Sequence, residues 1–335
     1  MKGLKDLSVF VSSWGSEPPS MTDLLDLAHH AEEIGYYSFG LAHVPLLTWP
    51  EHAPGMVFSQ FPRKYRDHQL DCLATVPMLL QATTRIKIAF NVLIAGWVHP
   101  FAWAKYLATL DVASHGRLIA GFGLGYAAPG ELSSALHNFG LNSRKRGAMS
   151  DEALEIIIRL WTEDEPITYE GTFSKGIDLI VEPKPLQKPY PELWWAGDAE
   201  VSVPRAAKYA HSLELTWPTP SMAKLRADAL AKIVAEEAPK YPRDIATSAM
   251  AFAEVRETDY TREQLLHTFK YPVHNDDLMD SVIAGSPAQC ANVVHQFADA
   301  GVTHLALDFN RHGLDPVRQI HTQMEEFATK VVPLL

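Results

Sequence analysis

His43 is the side chain in this sequence best placed to move a proton. It ends the apolar run Tyr36 to His43, within Leu41-Ala42-His43-Val44-Pro45, and an unperturbed imidazole titrates near pH 6.5. A histidine at a strand end can equally hydrogen-bond a loop carbonyl, and the residues alone leave both readings open. The turn Ala196-Gly197-Asp198-Ala199 leads through Ser202 to the helical Arg205-Ala206-Ala207, and backbone amides at a helix N-terminus bind phosphate. Ser202 as a plain N-cap is the alternative. The run Gly121-Phe122-Gly123-Leu124-Gly125 is a poor dinucleotide fingerprint: its spacing is GxGxG, and no acid about 20 residues on completes the unit. Glycines at a strand end instead let a flat ring or a neighbouring backbone approach. Trp14, Trp49 and Trp97, with Phe58 and Phe61, make an apolar hood that would exclude water, and the three tryptophans are the expected substrate contacts. Such a hood suits an apolar or weakly polar small molecule. A metal-dependent barrel hydrolase would want an HxH pair, and the fifteen histidines contain none.

These groups need a scaffold whose strand ends converge. Eight apolar runs of strand length recur, at Leu7 to Ser13, Tyr36 to His43, Ile86 to Ile94, Leu118 to Gly123, Leu193 to Gly197, Leu213 to Trp217, Thr247 to Val255 and Thr303 to Phe309. Amphipathic stretches separate them, at Ser20 to Gly35, Ala102 to Ser114, Arg146 to Trp161, Ser221 to Glu237, Pro287 to Ala300 and Pro316 to Val331. The alternation predicts an α/β fold with a parallel sheet covered by helices, and eight strands are what a TIM (β/α)8 barrel closes. Residues 1–335 read as one such domain. Two insertions interrupt the rhythm. Val44 to Asp67, after the second strand, is rich in proline and aromatics. Thr162 to Glu192, between strands four and five, holds a small hairpin at Tyr169-Glu170-Gly171-Thr172-Phe173 and then a proline-rich link.

Composition narrows the partners. Hydrophobic residues are 47% and charged residues 21% of the 335, and the formal charge is -11 without a Lys/Arg-rich block. That excludes a nucleic-acid groove or an anionic membrane surface and favours a small-molecule ligand. The longest apolar run, Val92 to Ala104, is broken by Gly96, His99 and Pro100, short of the roughly 20 residues a bilayer helix needs. Cys72 and Cys290 lack C-x-x-C spacing and lie in apolar stretches, so they read as buried thiols in a reducing compartment. Met1 to Asp6 shows no signal peptide, and the expected location is cytoplasmic. Arg117 and Asp111 read as a structural pair or cap on the barrel's underside, and Arg144 to Arg146 as a solvated helix start.

The run Ser114-His115-Gly116-Arg117-Leu118-Ile119-Ala120-Gly121-Phe122-Gly123-Leu124-Gly125-Tyr126 closely resembles the luciferase-like flavin-dependent monooxygenase family. So do Arg146 with Glu152-Ala153-Leu154-Glu155-Ile156, Glu182-Pro183-Lys184-Pro185-Leu186-Gln187-Lys188-Pro189 and Gly285-Ser286-Pro287, all in the family's order. The resemblance implies a TIM barrel holding reduced FMN or the deazaflavin F420 at its C-terminal mouth. It implies that His43 faces the reactive edge of the flavin and that a non-prolyl cis peptide joins Asn91 to Val92 behind the ring. Gly123 would then lie close to the ring, and Gly197, Asp198, Ala199 and Ser202 would hold the phosphate. The family turn commonly reads Gly-Gly-acid-Ser, so Ala199 lacks an expected hydroxyl, and Leu124 stands where some luciferases carry an arginine. The activity implied is a monooxygenase using O2 and reduced FMN from a separate flavin reductase, on an aldehyde, ketone, terpenoid or aromatic substrate. Hydride transfer with F420 and no O2 is the alternative, and a non-catalytic flavin-binding paralogue is another. Relatives pair as homodimers through early barrel helices, which assigns that role to the apolar stripe of Ala102 to Ala113.

Overall fold

A computed structural model describes residues 3–11, 18–43, 70–125, 142–269, 280–309 and 316–335. Trp14, Trp49 and the whole loop 44–67 expected to carry the hood lie outside these residues. Eight strands form the predicted ring: β1 (Asp6–Val11), β2 (Ser38–Leu41), β3 (Lys87–Ile94), β4 (Leu118–Gly123), β7 (Glu192–Ala196), β8 (Ser212–Thr216), β9 (Ala246–Val255) and β11 (His304–Asp308). Each is parallel to its neighbours, β9 pairs with both β8 and β11, and β11 pairs with β1, so the sheet closes on itself as a TIM barrel. Closure buries both faces of every strand, which is why these segments read as nearly continuous apolar runs. Between β4 and β7, β5 (Ile167–Glu170) and β6 (Lys175–Leu179) make the expected antiparallel hairpin. A short strand the sequence did not suggest, β10 (Ile283–Gly285), extends the far end of β9.

Helices α1 (Met21–Ile34), α2 (Cys72–Ala82), α3 (Pro100–Ala113), α4 (Arg146–Thr162), α5 (Ser202–Tyr209), α6 (Pro220–Glu236), α7 (Arg262–Thr268), α8 (Pro287–Asp299) and α9 (Pro316–Glu326) cover the outside. Local chemistry sets α1. Ser20 and Asp23 form a capping box, Leu24, Leu27, Ala28 and Ala31 are buried, and Gly35 stops the helix with φ 90° while its N–H reaches the Ala31 carbonyl. Helix α2 escaped sequence reading because its residues are apolar on almost every side and Pro77 sits inside it, so no stripe stands out. Helix α3 corrects one expectation. Its stripe of Trp103, Ala104, Leu107, Ala108 and Leu110 is turned into the chain's own core, and Trp161 of α4 donates to the Ala104 carbonyl at 2.9 Å. That stripe is not a free dimer face.

The underside of the barrel is sealed. Lys87 pairs with Glu192 at 2.5 Å, Tyr37 and the Trp194 indole donate to the same carboxylate at 2.7 and 2.8 Å, and the His304 ring packs on Tyr37 and Trp194. Burial pushes the Glu192 carboxyl up, but the Lys87 charge and these hydrogen bonds outweigh it and hold the group below its usual range. Asp111 and Arg117 are structural here but do not pair with each other. Asp111 accepts from the backbone and side-chain amides of Gln187, whereas Arg117 donates to Thr83 and to the Ile86 and Leu80 carbonyls. The hairpin is pinned from α4, where the Glu152 carboxylate accepts from the amides of Thr172, Phe173 and Ser174. Both cysteines are buried and free.

Candidate active site at the C-terminal mouth

Above the plugged underside, where His304 Nε2 has no partner among the described residues, further unspent polar groups gather at the other end. Strand β2 delivers Gly40 and, just past its end, His43. His43 is 8% exposed, and among the described residues neither ring nitrogen has a hydrogen-bond partner. Burial pulls its pKa down to about 4, although the nearby Asp71 carboxylate favours the charged form. The expectation of an imidazole near its ordinary value is therefore corrected: His43 is neutral at pH 7, because desolvation outweighs the Asp71 charge. The Trp97 ring stands edge-on to it, centroids 6.4 Å apart. Nδ1 or Nε2 of His43, a carboxylate oxygen of Asp71 and the Cys72 sulfur all lie within 4.8 Å of one another.

Next to β2, the Asn91–Val92 peptide of β3 is cis, as the resemblance implies, and the β3–β4 register slips between Phe90 and Leu93. The glycine run of β4 answers that bulge. A Cβ on Gly121 would run into the Phe90 carbonyl oxygen, and one on Gly123 would come 2.9 Å from the Val92 side chain. On the other flank, a Cβ on Gly40 would come 3.3 Å from the Asn91 amide nitrogen. Gly121 is required by the close approach of the Phe90 backbone, one of the two uses left open for the run, whereas Gly40 and Gly123 make room for the Asn91 and Val92 side chains.

Across the barrel, Glu214 of β8 accepts from Asn91 Nδ2 at 3.0 Å, while Glu214 Oε2 and Asn91 Oδ1 have no partner among the described residues. Glu214 is fully buried, and burial pushes its carboxyl up to about 8, with the Asp198 charge adding to the rise. Sequence reading missed it. The one signal was an acid in mid-strand, Leu213-Glu214-Leu215, at an inward-facing position of an otherwise apolar run.

Gly123 pairs with Ala196 of β7, so the mouth continues into the Gly197–Ser202 turn. Gly197 donates to the Glu214 carbonyl, and a Cβ there would meet the Ser202 hydroxyl. Asp198 accepts from the Thr216 amide at 2.7 Å, and burial raises its carboxyl to about 6. Arg226 of α6 donates to the Asp198 carbonyl at 2.6 Å. Ser202 is buried at the first turn of α5 but makes no side-chain cap, while Ala199 is exposed. His43, Trp97, Asn91, Val92, Gly123, Gly197, Asp198 and Ser202 thus share one rim. Ala199 sits at its outer edge.

The profile of luciferase-like monooxygenases matches residues 6–304. The chain belongs to that family. Luciferase-like relatives with different cofactors resemble it. An FMNH2-dependent dimethylsulfone monooxygenase of Pseudomonas putida is 30% identical over 142 residues, 42% of this chain and 38% of that one. An F420-dependent glucose-6-phosphate dehydrogenase of Amycolatopsis mediterranei is 28% identical over 195 residues, 56% of this chain and 50% of that one. The chain spans 65% or less of the length of the curated relatives it matches first. A monooxygenase of Streptomyces bottropensis superimposes with a TM-score of 0.76 at 18% identity, over 98% of this chain and 99% of its own, which shows the shared luciferase-like fold. The family comprises FMNH2-dependent monooxygenases and F420-dependent oxidoreductases, so the chain is of an oxidoreductase family.

Proposed function

We propose that this protein is a monooxygenase that uses reduced FMN and O2 on a small, apolar or weakly polar organic substrate, with a separate reductase supplying the flavin. The observation that carries the reading is the unspent imidazole of His43 beside a glycine-lined bulge. Buried polar groups without partners at a barrel mouth are candidates for a ligand, and among the described residues both His43 ring nitrogens, Asn91 Oδ1 and Glu214 Oε2 have none. The residues present therefore fit a flavin. When bound, it supplies the reducing electrons for oxygen activation. His43 begins neutral and accepts a proton at a ring nitrogen; the Trp97 edge walls it from solvent, and the nearby Asp71 stabilises the charge that follows. Gly197 and the first turn of α5 receive the phosphate, and Arg226 supplies the cation that makes up for the hydroxyl missing at Ala199.

F420-dependent hydride transfer is the second reading, since both cofactor types occur among the relatives. A formal charge of -11 disfavours its acidic tail. Titrating the full-length protein with FMN and with F420, following fluorescence, tests both. Saturable FMN binding followed by O2-dependent substrate turnover is the expected result. Binding of neither cofactor would overturn the proposal, F420 binding alone would transfer it to the second reading, and unchanged turnover in His43→Ala would assign the proton transfer to a different residue.

A further inference from the structure

The Asn91–Glu214 contact is half of a hydrogen-bonded dimer. In a closed amide–acid pair, Nδ2 would donate to Oε1 and Oε2–H would donate back to Oδ1. Here the first bond exists at 3.0 Å and the second does not, because Oε2 and Oδ1 are both buried and unpartnered. The pair joins β3 to β8 across the barrel interior, level with the cis peptide. Glycines on the strands flanking Asn91 let the chain pack closely around its amide: a Cβ on Gly40 would come 3.3 Å from Nδ2, and one on Gly121 would come 3.1 Å from Oδ1.

The charge state of Glu214 follows from its surroundings. Its side chain is fully buried, and its one bond is to a neutral amide. Asp198, in the turn after β7, is the charged neighbour and is itself an acid. Arg226 on α6 is directed to the Asp198 carbonyl, and β9 presents uncharged Ser248 opposite Glu214. On β3, Lys87 is engaged with Glu192 at the far end of the barrel. A carboxylate without a counter-charge in such a site protonates. Glu214 therefore offers an O–H donor and Asn91 an oxygen acceptor, side by side.

We propose that the open Asn91–Glu214 pair is a recognition subsite for a cyclic imide or lactam edge, with Glu214 Oε2–H donating to a ligand carbonyl and Asn91 Oδ1 accepting the adjacent ligand N–H. The pyrimidinedione ring of a flavin or deazaflavin carries such an edge, so the assignment rests on the cofactor reading above. The subsite has no affinity for a phosphate tail and acts on the ring alone. It also makes binding depend on one proton: once Glu214 ionises, donor becomes acceptor and faces a carbonyl oxygen.

The test uses lumiflavin, which has the ring without the phosphate, and its N3-methyl derivative, which lacks the imide N–H. Both are titrated by fluorescence quenching into wild-type protein and Glu214→Gln, whose amide keeps a donor and an acceptor but does not titrate. The wild-type dissociation constant for lumiflavin is expected to rise about tenfold per pH unit above about pH 8. In Glu214→Gln it stays flat, and the N3-methyl derivative binds wild type about tenfold more weakly. Difference infrared spectra supply a readout without turnover: a protonated-carboxyl stretch present in the ligand-free wild type at pH 7, absent in Glu214→Gln, and shifted by lumiflavin. Quenching that is indifferent to pH, to the substitution and to N3 methylation overturns this proposal alone. No quenching by either flavin, with the protonated-carboxyl band still present, overturns the cofactor reading and the ligand assigned here with it.

Discussion

A buried histidine with both ring nitrogens unspent is costly to keep unless something arrives to use them. Replacing His43 with Gln should leave flavin binding within about threefold and lower kcat by about 10²- to 10⁴-fold, the usual reach of one acid–base group. Titration and steady-state assays on the same preparation check the split. Because burial holds its pKa at about 4, the acid limb attributable to His43 as a base should fall near pH 4 and not near 6.5. Position alone made His43 legible, since strand-end residues of a barrel point into the mouth. Glu214 was not legible, because every strand of a closed barrel is buried on both sides and one acid in such a run looks like noise. Asp71 and Cys72 were hidden for another reason: nothing in the sequence brings them back to His43 after the long insertion that follows the second strand.

Among the elements, the pairing of β3 with β4 is the most demanding. Gly121→Ala puts a methyl group against the Phe90 carbonyl, and overpacking of this kind costs about 1–3 kcal/mol. The expected outcome is a lower denaturation midpoint together with lost flavin quenching. A surface alanine substitution on α6 should change neither. Eight strands could be read because period and length agree along each of them. The α2 helix could not, since its buried Cys72, Val76, Leu79 and Leu80 adjoin further apolar residues and Pro77 argues against a helix interior. Glu152, quoted as part of the resembling motif, has a plain structural duty: its carboxylate fastens the hairpin of β5 and β6 to α4.

For the whole molecule, buried titratable groups set the dependence of stability on pH. His43, His211 and His304 are each pulled down to about 4 by burial. Between about pH 6.5 and 4 the unfolded chain takes up a proton at each, whereas the folded one does not, so stability falls as pH falls. Asp198, raised to about 6, and Glu214, raised to about 8, oppose this, because the folded state keeps protons that the unfolded chain has released above its ordinary carboxyl values. Three histidines outnumber two carboxyls, so on balance unfolding near pH 5.5 takes up protons and stability falls as pH falls. Denaturant melts should show that slope, and Glu214→Gln, by removing one opposing group, should steepen it. A slope of the opposite sign would contradict the assigned burial effects.

The sealed underside has a kinetic corollary. With Lys87, Glu192, Tyr37, Trp194 and His304 stoppering one end, the flavin and organic substrate proposed above would both enter from the opposite end, and the deeper guest would have to arrive first and depart last. Rapid-mixing experiments should find that substrate added ahead of the flavin delays flavin capture in proportion to its concentration. Equal capture rates in either order of addition would mean a second entrance.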